Sequence, residues 1–329
     1  MPHYAYTQEE VDALIATVPQ GPPGPEGPPG PPGTSGSSSL FDLTDVSVPV
    51  TPKKGDALVH PGGVGSSWGV FSIVGMPLRL ERYGASLDGT GVGDDAAFAA
   101  AIQDAKNRTW RTSRIQWNGV LTLSQSPPSL YRIHLEGDDI YGSTIHKGYA
   151  GGVLLNFAGP AGFTGGGLHN FSVPTQPGSA NSYIIRANAT TEFSPDGLIL
   201  EDLYLSSGVE VNAPFRNIEV VGDARLSPPG IRGLVLRNVT CFGATGGNVF
   251  LSGVSRIVGS GLSTYKFGPG TDADVYVRGA PAFIVEDNYL SGCDIEGNLR
   301  LSRMNKARFQ GSIASVISGA NLTNVFTGL

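Results

Sequence analysis

From residue 168 to the end of the chain, apolar and polar positions follow one repeating pattern. It reads apolar, any, turn residue, any, any, apolar, any, often glycine. The turn residue falls at Asn170, Asp202, Asn217, Asn238, Gly259, Asp287, Lys306 and Thr323. Two positions earlier stand Leu168, Leu200, Phe215, Leu236, Ile257, Val285, Met304 and Asn321. Three positions later stand Val173, Leu205, Val220, Cys241, Leu262, Leu290, Phe309 and Phe326. Only Asn321 breaks the apolar rule. Glycine follows five positions after the turn at Gly222, Gly243, Gly292, Gly311 and Gly328. The spacings run from 15 to 32 and average about 22, within the range of stacked structural repeats. Asn and Asp tolerate the left-handed backbone and Gly favours it. The pattern predicts short strands that turn at these residues and stack their apolar columns into one core. Unequal spacings predict loops of unequal length.

Two stretches carry helical spacing instead. Asp94 or Asp95 is placed to cap a helix running from Asp95 to about Ala105. Its alanine-rich run sets Phe98 and Ile102 on one face. Near the N-terminus, Thr7 and Glu10 form a capping box ahead of Val11, Leu14, Ile15 and Val18, and Pro19 ends that helix. A helix this short is marginal by itself.

Between residues 21 and 36 glycine occupies every third position, and proline fills most of the rest. Proline removes the backbone donor and fixes φ, so neither helix nor ordinary strand fits. Flexible linkers share this composition, but a linker needs no strict period. Three polyproline chains can wind together only where every third residue lacks a side chain. The period predicts a short collagen-like triple helix, hence a homotrimer, with the helix at 1–19 setting its register.

Composition changes the picture in three ways. The 329 residues include 47 Gly and 24 Pro, with only 15% charged, and much of the glycine lies outside the collagen-like stretch. That favours β structure with frequent corners. The net charge of −6 per chain, 3 × −6 = −18 for a trimer, and the lack of a basic stripe argue against nucleic acid as a partner. Cys241 and Cys293 have no metal-ligand spacing and read as buried thiols; no cofactor or metal is expected. The N-terminus lacks the basic and apolar regions of a signal peptide, and no apolar run is long enough for membrane insertion. Work outside a cell would then require release by lysis or transport on a particle.

Three resemblances cover most of the chain. Tyr6-Thr-Gln-Glu-Glu-Val-Asp-Ala-Leu-Ile15 resembles a motif near the ends of phage tail-fibre proteins. Leu40-Phe-Asp-Leu-Thr-Asp-Val46, Gly55-Asp-Ala-Leu58 and Trp68 together resemble a small module recurrent in those fibres. The stretch Tyr83-Gly-Ala through Asp94-Asp95 looks like the opening of pectate-lyase-like β-helix proteins, including phage tailspikes. The run His134 to Ile145 is similar to their first full coil. The loop Leu87–Asp95 is slightly longer than that family's. A nucleotide-binding glycine loop is the competing reading, but no βαβ unit surrounds it. The resemblance implies an all-β fold. Its body is a right-handed parallel β-helix (solenoid) over 81–329 with an N-terminal capping helix. Before it come a virion-anchoring, trimerising helix (1–19), a collagen-like stalk and linker (20–39) and a small β module (40–80).

The repeat also predicts outward neighbours, because strand side chains alternate and coils stack about 4.8 Å apart. Glu201 is expected beside Arg216, which on an exposed face is an ion pair worth at most about 1 kcal/mol. Tyr204 is expected beside Glu219, and Tyr289 beside Arg308. An aromatic face next to a charge suits a sugar ring, so these four are the candidate ligand-binding residues; a plain solvated face is the alternative. The resemblance further implies phage tail or baseplate proteins as partners, a virion (tail) location and a host surface polysaccharide as ligand. Related tailspikes often cleave such polysaccharides. Glycoside hydrolysis needs two carboxyls, about 5 Å or 6.5–9.5 Å apart. Of the acidic residues, Glu201 with Glu219, and Glu286 with Asp294, are the only pairs expected to meet, and neither belongs to a recognisable motif. Host-surface binding without strong depolymerase action is the expectation, with depolymerase and purely architectural fibre as alternatives.

Overall fold

The alternation that marks each strand in the sequence is the alternation of burial in the structure. In Ile133–Gly137 the side chains of Ile133 and Leu135 are fully buried, while His134 and Glu136 between them are partly exposed. Strands of this kind pair in parallel from coil to coil, so each inward residue lands on the inward residue of the next coil. Leu135, Leu168, Leu200 and Leu236 form one such column by register, all with 0% exposure.

This computed structural model describes residues 57–59, 69–71, 77–108, 113–149, 151–158, 162–163, 165–174, 182–189, 193–194, 197–206, 216–222, 231–266, 274–279 and 284–328, together with Glu9. The expected helix at 1–19, apart from Glu9, the collagen-like stretch at 20–39 and most of the 40–80 module lie outside these residues, as does Phe215. Ala57–Val59 and Gly69–Phe71 form a small two-stranded sheet. From Leu78 onward the described strands build a parallel β-solenoid.

Three strand columns make up a coil. The first runs through Ser113–Trp117, Ile133–Gly137 and the opening halves of Gly166–Val173, Leu198–Ser206, Val235–Phe242 and Val258–Tyr265. A left-handed residue then turns the chain: Asn170 (φ 60°), Asp202 (φ 52°), Asn238 (φ 48°), Gly261 (φ 72°) and Gly292 (φ 58°). The second column takes up the later halves of the same strands, preceded by Gly119–Leu123 and Ser143–Lys147. The third contains Gly152–Phe157, Ser182–Asn188, Arg216–Val221, Val249–Ser252 and Val275–Arg278. A separate corner leads back to the first column at Gly197 (φ 72°), Gly233 (φ 80°), Arg256 (φ 59°), Asp287 (φ 56°), Lys306 (φ 51°) and Asn324 (φ 53°).

The single turn column expected from sequence is therefore two corners merged. Asn170, Asp202 and Asn238 belong to one, Asp287 and Lys306 to the other. Three assignments are corrected. Asn217 is not a turn residue: it begins the third column, is fully buried, and donates through Nδ2 to the Phe242 carbonyl (3.0 Å) and to Asn248 Oδ1 (2.6 Å). Gly259 lies within a strand, where a Cβ would stand 1.6 Å from the Leu236 carbonyl oxygen; the turn follows at Gly261. At the C-terminal end Asn321 and Asn324, not Thr323, take the left-handed conformation. The apolar flanks fare better. Leu168, Leu200, Leu236, Ile257, Val285, Met304, Val173, Leu205, Val220, Cys241, Leu262, Leu290 and Phe309 are all buried, and Phe326 is 67% exposed.

The helix Asp94–Asn107 buries Phe98, Ala101, Ile102 and Ala105 against the first coil. Its N-cap is Gly93, not an aspartate. The residue has φ 81°, and a Cβ there would meet the Gly84 carbonyl oxygen at 2.9 Å. Asp94 instead sits inside the first turn at 0% exposure, accepting from the Ser86 (2.8 Å) and Thr122 (2.8 Å) backbone amides and from the Ser86 hydroxyl (3.1 Å). Asp95 accepts from the Ser124 amide at 3.1 Å. The paired aspartates bolt the helix across the loop and the second strand column. Inside the body, Trp117 packs on Phe171 with ring centroids 5.1 Å apart.

Candidate functional site

Parallel stacking repeats outward side chains as faithfully as inward ones, so the solenoid carries ladders on its surface. On the first column His134 Nδ1 and His169 Nε2 lie 2.7 Å apart, and His169 Nδ1 is 3.4 Å from Glu201 Oε2. Glu201 Oε1 in turn accepts from Arg237 Nη1 at 3.2 Å. Burial, then the neighbouring His169 and Arg114, pushes the His134 imidazole down to about 4, against a weaker opposing effect of Glu136.

The expected Glu201–Arg216 pair does not form. The register places Arg237, not Arg216, beside Glu201. Tyr204 and Glu219 do not adjoin either: Tyr204 is in register with Ser172 and Thr240 in the second column, while Glu219 stands in the third beside Arg186 and Phe250. The spacing of 15 residues from Asp202 to Asn217 crosses from one column to another within a coil, so it is not a coil-to-coil step.

In place of that pair, the second column carries three half-buried rings. Tyr204 and Phe242 have centroids 5.1 Å apart, and Phe242 stacks on Tyr265 at 5.1 Å. The Tyr265 hydroxyl donates to Asp294 Oδ2 at 2.5 Å, and that bond, with burial, raises the phenol above its ordinary value. Exposed Glu296 follows and accepts from the Lys266 amide at 2.6 Å. Glu286 belongs elsewhere: it accepts from Asn305 Nδ2 at 3.0 Å. The left-handed corners at Asp287 and Gly292 separate it from Asp294, so those two carboxyls stand in different columns, as do Glu201 and Glu219.

Tyr289 and Arg308 are register partners. With Lys306, Asn324 and exposed Phe326 they line a shallow depression of about 350 Å³. Both cysteines are free and buried, and burial raises the thiols, Cys293 to about 11.

The third column holds charges that the sequence pattern did not bring together. Glu219, 5% exposed, accepts from Arg186 Nε at 3.0 Å and from Arg216. The Arg216 and Arg278 guanidiniums both lie over the Phe250 ring, at 3.7 Å and 4.8 Å from its centroid. Arg300 lies over Tyr276 (4.7 Å) and Arg186 over Tyr183 (4.8 Å). Fully buried Asp274 pairs with Arg300 and accepts from the Asn298 amide at 2.8 Å. A signal for this ladder existed in the recurrence of arginine and aromatic residues at inward-outward alternation, but the long unequal loops concealed its register.

A scan of protein-family models finds no match, and no curated protein matches the sequence. Several solved structures do. A protein of Geobacillus virus E2, ORF18, aligns over 76% of this chain with 13% identity and a TM-score of 0.29; the chain spans 60% of its length. The Streptococcus pneumoniae surface protein and adhesin PfbA aligns over 77% of this chain and 97% of its own, at 10% identity and TM-score 0.22. The A-module of the Azotobacter vinelandii mannuronan C-5 epimerase AlgE6 aligns over 76% and 99%, at 11% and 0.20. The class of the fold, a parallel β-solenoid, rests on the strand register above.

Proposed function

We propose that this chain is a trimeric phage virion fibre or spike whose solenoid attaches to polysaccharide on the host surface. The Tyr204–Phe242–Tyr265 stack carries the reading. Three half-buried rings packed at roughly coil spacing form an apolar ridge on which successive sugar rings can lie, and Asp294 and Glu296 beside it are placed to accept from sugar hydroxyls. The N-terminal third would fix three chains to the particle through tail or baseplate proteins, and the coil would be right-handed, as parallel crossovers are. Attachment without cleavage is favoured by the carboxylates themselves. Glu201 and Glu219 are committed to arginines in different columns, and corners separate Glu286 from Asp294. Hydrolysis needs two carboxyls facing one glycosidic bond.

The test is to incubate the purified full chain with host envelope polysaccharide and follow retention, product size and reducing ends. Retention without new reducing ends, lost in Tyr204→Ala or Tyr289→Ala, is expected. Fragmentation that vanishes in Glu219→Gln or Glu286→Gln would replace this reading with a depolymerase. No retention at all would leave an architectural fibre.

A further inference from the structure

The third strand column has a charge opposite to that of the chain. Arg186, Arg216, Arg278 and Arg300 face outward along it, against Glu219 and Asp274, giving 4 − 2 = +2 among the described residues of the ladder, on a chain of net −6. The two carboxylates are buried, at 5% and 0% exposure, and act as internal ties that hold arginines in place. Tyr183, Phe250 and Tyr276 form a floor beneath the guanidiniums. A guanidinium lying flat on a ring keeps its N–H edge available and loses little further freedom on engaging an anion. Arg278 is exposed where the other three are only partly so; it stacks on Phe250 and donates through Nε to the Ser252 hydroxyl at 3.3 Å.

Among the described residues Glu219 pairs with Arg186 and Arg216, Asp274 with Arg300, and Arg278 lies over Phe250 beside the Ser252 hydroxyl. Arg186 and Arg300 share one register line, Arg216 lies three residues before it and Arg278 two after it, so guanidiniums follow the length of the column without a strict coil-to-coil repeat. Their planar forks suit the carboxylates of an extended sugar chain, because bidentate N–H···O pairs select flat anions.

We propose that this arginine–aromatic strip is a binding site for acidic polysaccharide, selecting glycans whose sugars carry carboxylates. It rests on the reading that the solenoid holds envelope polysaccharide and adds the charge class and a face distinct from the Tyr204 stack. The test uses the full chain and two probes, oligogalacturonate and uncharged dextran oligomers, by calorimetry at low and raised sodium chloride. Oligogalacturonate is expected to bind and dextran to bind far more weakly. Arg278→Ala should weaken oligogalacturonate by about tenfold or more, Arg278→Lys by less, and Arg237→Ala, on the first column, not at all, with unchanged melting temperatures. Equal affinity for the two probes would overturn the proposal. So would equal losses in Arg278→Ala and Arg237→Ala, which would mean general charge attraction. Failure of the native envelope to bind while oligogalacturonate binds would count against the attachment reading and leave the strip standing. Envelope retention that is indifferent to Arg278→Ala, with no oligogalacturonate binding, would do the reverse.

Discussion

Arg237 reaches Glu201 at 3.2 Å from one coil to the next, because the two residues hold the same position on stacked parallel strands. The pair is mostly a surface one, worth about 1 kcal/mol or less. Its importance is geometric: it marks the true step between coils, which here covers 36 residues instead of the average expected from the repeat.

Asp94 is the residue on which the N-terminal cap depends most. Substitution by Ala removes the acceptor for the Ser86 and Thr122 amides inside a fully buried site. A loss on the order of 3 kcal/mol is expected, read as a lower urea midpoint. Asp94→Asn, which keeps an acceptor, should recover part of it. A midpoint within experimental error of wild type in Asp94→Ala would show that the cap is held by Phe98 and Ile102 alone.

Glu219→Gln should destabilise the chain by about 3 kcal/mol, because Arg216, its side chain 14% exposed, loses a charged partner. The melting temperature should fall. A variant of native stability would mean that the carboxylate is not a tie for the arginine ladder.

The His134 imidazole lies near 4 in the folded chain and near 6.5 unfolded. The unfolded chain therefore binds the extra proton first. The stability that His134 contributes is complete above about pH 6.5 and is lost as the pH falls through about 4. After discounting for a partly exposed ring, about 2 kcal/mol is at stake. Thermal melts of wild type and His134→Asn between pH 7 and 4 should converge as acid is added. Parallel curves would rule out a titrating His134.

Removal of residues 1–39 should leave monomers by light scattering, because the glycine period at 21–36 is the feature that predicts three chains. A truncated chain that remains trimeric would move assembly to the solenoid or the 40–80 module.

The sequence by itself determined what lies inside. Every inward strand residue meets the same continuous core, so Leu200, Cys241, Val285 and Phe309 are buried whichever corner they flank. In most coils both corners use the same local grammar, an apolar residue two positions before a left-handed Asn, Asp, Gly, Lys or Arg, and local grammar is all that a single chain displays. The capping helix was legible for the same reason, its Phe98 and Ile102 being one turn apart. Only the tertiary structure decided what meets outside. Arg186, Glu219, Phe250 and Tyr276 become neighbours through stacking of the third column, across loops of unequal length. Merging two corners costs nothing in the core, where all columns converge. It displaces every outward partner, which is why Glu201 was expected beside Arg216 and stands beside Arg237.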